Sequence, residues 1–212
     1  VMAIAGEKGY DLYALSFKYG QRHLHEIEAA KRIAAHFNAV EHKIVKIDMR
    51  LFGGSALTDD IDVPGNRSME EIESEIPVTY VPARNTIFLS FALAWAEVIE
   101  AREIFIGINA IDYSGYPDCR PEFLDAFNNL AKMATKKGVQ GKGDIKVHAP
   151  LLKMKKAEII ETGKKLNVPY EMTTTCYNPL PDGTSCGVCD ACILRLRGFK
   201  DHGSADPLNY KK

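Results

Sequence analysis

The chain has 212 residues, 46% hydrophobic and 26% charged, with 27 basic and 28 acidic side chains and a formal net charge of −1. That is the composition of an ordinary globular protein of one domain, or one domain with a small appendage. The near-neutral balance gives no electrostatic reason to expect a large nucleic-acid or membrane partner. The most apolar run, 87–99 with Glu97 inside it, falls short of the ~20 residues a membrane-spanning helix needs.

Residues 1–6 read as the tail of an apolar helix closed by Gly9. Residues 10–17 follow as a strand, with Leu12, Tyr13, Ala14, Leu15 and Phe17 in a nearly continuous apolar run. A helix over 25–37 aligns Ile27, Ala30, Ile33, Ala34 and Phe37 on one face, and 40–47 is a second strand. The polar, acidic stretch 48–76, with Gly53-Gly54 and Pro64-Gly65, reads as a long loop or insertion. Residues 77–81 lead into a helix over 86–101 that is apolar on most faces and so must be covered on both sides. Residues 104–108 form a strand apolar throughout, the pattern of a parallel sheet buried on both faces. After a loop over 109–120, Pro121 suits the first position of a helix running to 137. A strand at 145–149 and a helix at 155–166 complete the alternation.

Strands alternating with helices predict an α/β fold with a doubly wound, mostly parallel sheet. Ligands in such sheets sit beyond the carboxyl ends of the strands, which singles out 18–23, 82–85 and 109–120. A division into an α/β domain over 1–170 and a metal-binding segment over 171–212 is expected. A doubly wound sheet wants a strand and turn before the first helix, so the natural chain is expected to continue upstream of Val1.

Cys176, Cys186, Cys189 and Cys192 bunch near the end of the chain, with Cys119 apart. Two-residue gaps let thiolates converge on a tetrahedral zinc ion, and a closed four-cysteine shell makes such zinc structural. An iron–sulfur cluster is the rival. Its motif asks for a fourth cysteine three residues on, followed by proline, whereas Ile193, Leu194, Arg195 and Leu196 follow Cys192. Clustered thiols and the lack of a signal-peptide pattern point to a reducing, cytoplasmic setting.

The run Val81-Pro82-Ala83-Arg84-Asn85 precedes a helix, whose free amides attract anions, and Arg84 adds a bidentate phosphate donor. The loop Asp112-Tyr113-Ser114-Gly115-Tyr116-Pro117-Asp118-Cys119-Arg120 gathers carboxylates, hydroxyls and tyrosines that suit a flat polar heterocycle. Asp112 or Asp118 offers a carboxylate for the polar edge of such a ring. Capping of the helix at Pro121 is the alternative role, better suited to Asp118. In Gly20-Gln21-Arg22-His23, His23 reads as a hydrogen-bonding or helix-start residue rather than a general base. A lysine of the 153–156 cluster, just past a strand, can reach a phosphate.

In this order, with Phe17-Lys18-Tyr19-Gly20-Gln21-Arg22-His23 ahead of them, these motifs resemble the 7-cyano-7-deazaguanine (preQ0) synthases of queuosine biosynthesis over nearly the whole chain. That family belongs to the N-type (PP-loop) ATP pyrophosphatases. The resemblance implies a ligase that takes a 7-carboxy-7-deazaguanine acid, ammonia and ATP with Mg²⁺, and works as a homodimer. It further implies ATP contacts at Tyr19, Gln21, Arg22, Arg84, Asn85, Gly107 and Lys156, with Arg84 and Lys156 on the reacting phosphates. The base would be held by Asp112, Tyr113, Ser114, Gly115, Tyr116, Pro117 and Asp118. The family's Ser-Gly-Gly-x-Asp-Ser loop does not occur within the 212 residues and is expected immediately before Val1. Two other functions fit parts of the pattern. One is a different N-type ATP pyrophosphatase, such as a tRNA-thiolating enzyme. The other is a non-enzymatic zinc knuckle using Tyr177, Arg195, Arg197 and Phe199 to bind RNA or a protein.

Overall fold

A computed structural model describes residues 1–110 and 116–211. In chain order the elements are α1 (Met2–Glu7), β1 (Tyr13–Lys18), α2 (His25–His36), β2 (Glu41–Lys46), α3 (Met69–Ser74), α4 (Arg84–Val98) and β3 (Glu103–Phe105). They continue with α5 (Pro121–Ala134), α6 (Lys136–Val139), β4 (Lys146–His148), α7 (Lys156–Lys165) and α8 (Asp190–Asp201). The protein is α/β, and its strand pairs are parallel, as the alternation predicts.

The chain divides into two compact units. One comprises Met2–Pro82 with Lys155–Lys212. In it β1 and β2 pair in parallel from Tyr13 opposite Glu41 to Lys18 opposite Lys46, with α2 as the connection. Tyr170 packs edge-on to Phe199 of α8 and sends its hydroxyl to the Ile159 carbonyl of α7. Helices α7 and α8 approach closely at Gly198, where a β-carbon would stand 2.7 Å from Cβ of Lys156.

The other unit is Ala83–Met154 with Val1. Its strands β3 and β4 pair from Glu103 opposite Lys146 to Phe105 opposite His148. Leu89, Leu93 and Ala96 of α4 and Phe127 and Ala131 of α5 bury against Ile145 and Val147. The Asn128 side chain accepts from the Val147 amide at 2.8 Å and donates to its carbonyl at 3.2 Å, satisfying the backbone of β4.

Three sequence expectations change. The helix expected to run to 137 breaks at Thr135, whose backbone is extended and whose hydroxyl accepts from Gly138 to start α6. The strand expected over 104–108 is regular only to Phe105, although Ile106 still donates to the His148 carbonyl. The stretch 48–76 is folded rather than a bare loop. Ser68 and Glu71 form a reciprocal capping box that starts α3, and Ser55, Ala56, Leu57 and Thr58 are buried. Among the described residues no helix is long and apolar enough to cross a membrane.

Candidate functional site

The four clustered cysteines converge. Cys176 lies in an irregular stretch, Cys186 on a turn closed by Gly187 at φ 78°, Cys189 at the N-cap of α8, and Cys192 in its first turn. All four are buried and their Sγ atoms lie within 4.8 Å of one another. Tetrahedral zinc–thiolate bonds of about 2.3 Å place sulfurs roughly 3.8 Å apart, so little adjustment is needed to close a shell. Backbone amides already point at the sulfurs. Cys186 donates to Cys176 Sγ at 3.2 Å, Cys189 to Cys186 Sγ at 3.4 Å, and Tyr177 to Cys189 Sγ at 3.5 Å. Such donors, together with the positive end of α8, favour thiolate over thiol.

The thiols compete for charge. Hydrogen bonds from Cys176 and then Cys192 hold Cys189 down to about 2. Donating that bond pushes Cys176 up to about 12, and Cys192 is likewise pushed up by its bonds to Cys176 and Cys189. Four thiols this close cannot all ionise unaided; a thiophilic divalent cation takes each as thiolate and releases the protons.

The acidic stretch expected to be a loop turns out to support this cluster. Gly65 bridges Cys189 in antiparallel fashion, and Asn66 donates to the Val188 carbonyl at 2.8 Å. Arg67 Nη1 donates to Asp190 Oδ2 at 3.1 Å, and the Asp190 side chain is only 2% exposed. Sequence reading missed Arg67 because its partner is 123 residues away. His23 sits on the other flank. Burial first, then His25, lowers its pKa, and its Nδ1 is buried without a hydrogen-bond partner among the described residues.

Within the same unit, Gln21 builds the turn after β1. Its Oε1 accepts from the Tyr19 amide at 2.8 Å, and its Nε2 donates to Phe17 O at 3.2 Å and Glu26 Oε1 at 2.7 Å. Tyr19 is buried and Arg22 exposed. Gly20, at φ 89°, lies so close to Arg50 and Asp48 that a β-carbon would clash at 2.8 Å. Lys156 is the first residue of α7 and packs against Gly198.

The remaining ATP candidates, Arg84, Asn85 and Gly107, belong to the other unit. Arg84 opens α4 and lies over the Phe88 ring at 6.0 Å. Ala83 before it is left-handed at φ 54° and offers no side-chain cap. The cap comes from a distant residue, since Asp118 Oδ2 accepts from the Asn85 amide at 2.9 Å. The anion at that amide is thus the chain's own carboxylate. Asp118 does not cap α5, which starts after Arg120 with no side-chain cap. Tyr116 is buried, and Pro117 begins a short 3₁₀ turn ending at Cys119. Asp112, Tyr113, Ser114 and Gly115 lie outside the described residues.

Two residues that an RNA-binding knuckle would need outside are committed inside. Phe199 is 2% exposed. Arg195 donates bidentately to Asp206 at 2.7 and 2.9 Å, and also reaches Thr173 Oγ1 at 2.7 Å and Tyr170 O at 3.2 Å.

Residues 1–203 match the family model described as queuosine biosynthesis protein QueC. The chain is 59% identical over 209 residues to a 7-cyano-7-deazaguanine synthase of Desulfatibacillum aliphaticivorans, covering 99% of this chain and 90% of that protein. It is 57% identical over 206 residues to the synthase of Syntrophus aciditrophicus, covering 97% and 89%. With the synthase of Geobacter metallireducens the figures are 58% over 209 residues, covering 99% and 86%.

Proposed function

The chain belongs to the queuosine biosynthesis protein QueC family, and on that premise we propose that it makes 7-cyano-7-deazaguanine from 7-carboxy-7-deazaguanine, ammonia and ATP. The observation carrying this reading is the likeness to synthases of that name at 57–59% identity across almost the full chain. In the first round the carboxylate attacks the α-phosphorus of ATP, expelling pyrophosphate and leaving an acyl adenylate. Ammonia adds at the acyl carbon and AMP departs, giving the amide. In the second round the amide oxygen is adenylated, pyrophosphate leaves again, and loss of AMP with a proton yields the nitrile. Adenylation turns a poor oxygen leaving group into a good one.

Arg84 and Lys156 supply cationic donors for the phosphates, and Mg²⁺ bound there would neutralise their charge. Tyr19, Gln21, Arg22, Asn85 and Gly107 belong to the nucleotide site in this reading. Asp112 reads the base edge, with Tyr113, Ser114, Gly115, Tyr116 and Pro117 around the ring. The four cysteines would hold one zinc ion, and a full set of thiolate ligands would confine its contribution to folding. The enzyme is taken to be a cytoplasmic homodimer, with Val98 and Met133 among the exposed apolar side chains available for an interface.

The test is substrate-dependent pyrophosphate release. The deazaguanine acid with ammonia should stimulate ATP cleavage, and unmodified tRNA should not. Stimulation by tRNA alone would assign the chain to another reaction of the same superfamily.

A further inference from the structure

Asp118 is a candidate for reading the base, yet one oxygen of its buried carboxylate is engaged inside the protein. Oδ2 accepts from the Asn85 amide at 2.9 Å, and the Asp118 carbonyl accepts from Asn85 Nδ2 at 3.0 Å. The same Nδ2 reaches Cys119 Sγ at 3.3 Å. The Asn109 backbone lies near that sulfur and favours its charge slightly. The Asn109 side chain in turn donates to Leu151 O at 2.8 Å and Met154 O at 2.6 Å, and Ala110 donates to Leu152 O at 3.0 Å. Asn85, Asn109, Asp118 and Cys119 are all buried, between 6% and 8% exposed.

Three segments far apart in sequence therefore share one buried network. They are the first turn of α4 carrying Arg84, the residues on both sides of 111–115, and the 151–154 turn that precedes Lys156 by two residues. Cys119 is the junction, because its sulfur takes the Asn85 side-chain bond at 3.3 Å and lies near the Asn109 backbone. A reactive thiol would be exposed and acidic. Burial first, then Asp118, instead pushes Cys119 up to about 11, which suits a neutral acceptor.

We propose that Asp118 and Cys119 are positioning residues for the reaction, fixing Arg84 and Tyr116 through Asn85 and Asn109 rather than touching the base. The inference rests on the functional reading above. On this reading Asp118 serves the start of α4, where Oδ2 accepts from the Asn85 amide, rather than the substrate. Buried polar networks of this kind hold one arrangement firmly only when every member is satisfied.

The test compares the full-length, metal-loaded parent with Asp118→Ala and Asp118→Asn by hydrogen exchange and by kinetics. In Asp118→Ala, exchange should speed up together at 84–87, 107–110 and 116–119, by about tenfold, the usual worth of one hydrogen bond to a charged group. Asp118→Asn keeps an acceptor oxygen and should restore most protection. In Asp118→Ala the KM values for ATP and for the deazaguanine acid should rise together by about tenfold, with kcat per active site within twofold of the parent. Preference for the acid over an analogue lacking the exocyclic amine should stay at the parent's value in both variants. Faster exchange confined to Asn85 overturns the network, and a lost amine preference in Asp118→Asn makes Asp118 a base reader after all. Should Asp118→Ala fail to fold, Cys119→Ala removes the junction and is judged by the same readouts. A parent that cleaves no ATP with the acid defeats the functional reading, and the exchange arm then decides the network by itself.

Discussion

Asp206→Asn isolates one buried charge pair that holds the C-terminal segment. Arg195 and Asp206 form a bidentate pair with side chains 12% and 2% exposed. Asp206 also accepts from the Tyr210 hydroxyl at 2.6 Å and the Leu208 amide at 3.1 Å. Burial opposes its ionisation, but the Arg195 and Tyr210 hydrogen bonds win and hold the carboxyl below its usual range. Replacing the carboxylate with an amide leaves the Arg195 guanidinium buried without its counter-charge. Removing one partner of a buried pair costs about 3–5 kcal/mol. The Thr173 and Tyr170 contacts and the Phe199 ring, 5.3 Å from the guanidinium, remain, which places the expected loss near the lower end. The sign with pH follows from the depressed value. The Asp206 contribution is complete above the unfolded carboxylate pKa of about 3.9 and is lost as pH falls through the lower folded value. The gap between parent and variant should thus be flat from pH 8 to pH 5 and shrink only in stronger acid. Urea denaturation of metal-loaded protein at pH 7 measures it through the midpoint at constant m. A loss under about 1 kcal/mol, the range of exposed pairs, would refute the claim that this pair is an internal clamp.

Other outcomes follow from the same geometry. Metal analysis should find one zinc per chain, and Cys189→Ser should lose both the metal and several kcal/mol of stability, because metal binding and folding are coupled; iron in pure folded protein would contradict the shell. Chelation should also expose residues 65–75 to protease, since Gly65, Asn66 and Arg67 are anchored on 188–190; cleavage rates unchanged by chelator would break that link. Gly198→Ala should lower stability by about 1–2 kcal/mol despite the helix propensity gained, and raise KM for ATP by displacing Lys156, whose Cβ cannot rotate away from the new methyl; an unchanged melting temperature would show that α7 and α8 separate without cost. Arg84→Ala should weaken ATP binding by about 1.5–3 kcal/mol, the worth of a charge-assisted bond; equal affinity would remove Arg84 from the phosphate site.

The parallel pairs and the helix between β1 and β2 were legible because apolar periodicity is a local signal. The cysteine cluster was legible because three of its four thiols fall within seven residues. The helix α3 was hidden by polar composition, although Ser68 and Glu71 carry its capping signature. Long-range polar partners were not legible at all. Nothing in the sequence couples Arg67 to Asp190, Arg195 to Asp206, or Asp118 to Asn85 rather than to the nearby α5, because hydrogen bonds depend on where folding brings side chains. Phe199 and Arg195 looked like material for a nucleic-acid surface, but helical spacing on α8 turns both inward.

In the proposed reaction the acid is adenylated and aminated, and the resulting amide is adenylated in turn. Counting nucleotide products against nitrile tests it most directly. With the deazaguanine acid, ammonia, ATP and Mg²⁺, the account predicts two AMP and two pyrophosphate for each nitrile formed, with the amide appearing as an intermediate that the enzyme also accepts. ADP and phosphate as products, or AMP formed with no nitrile or amide, would contradict it.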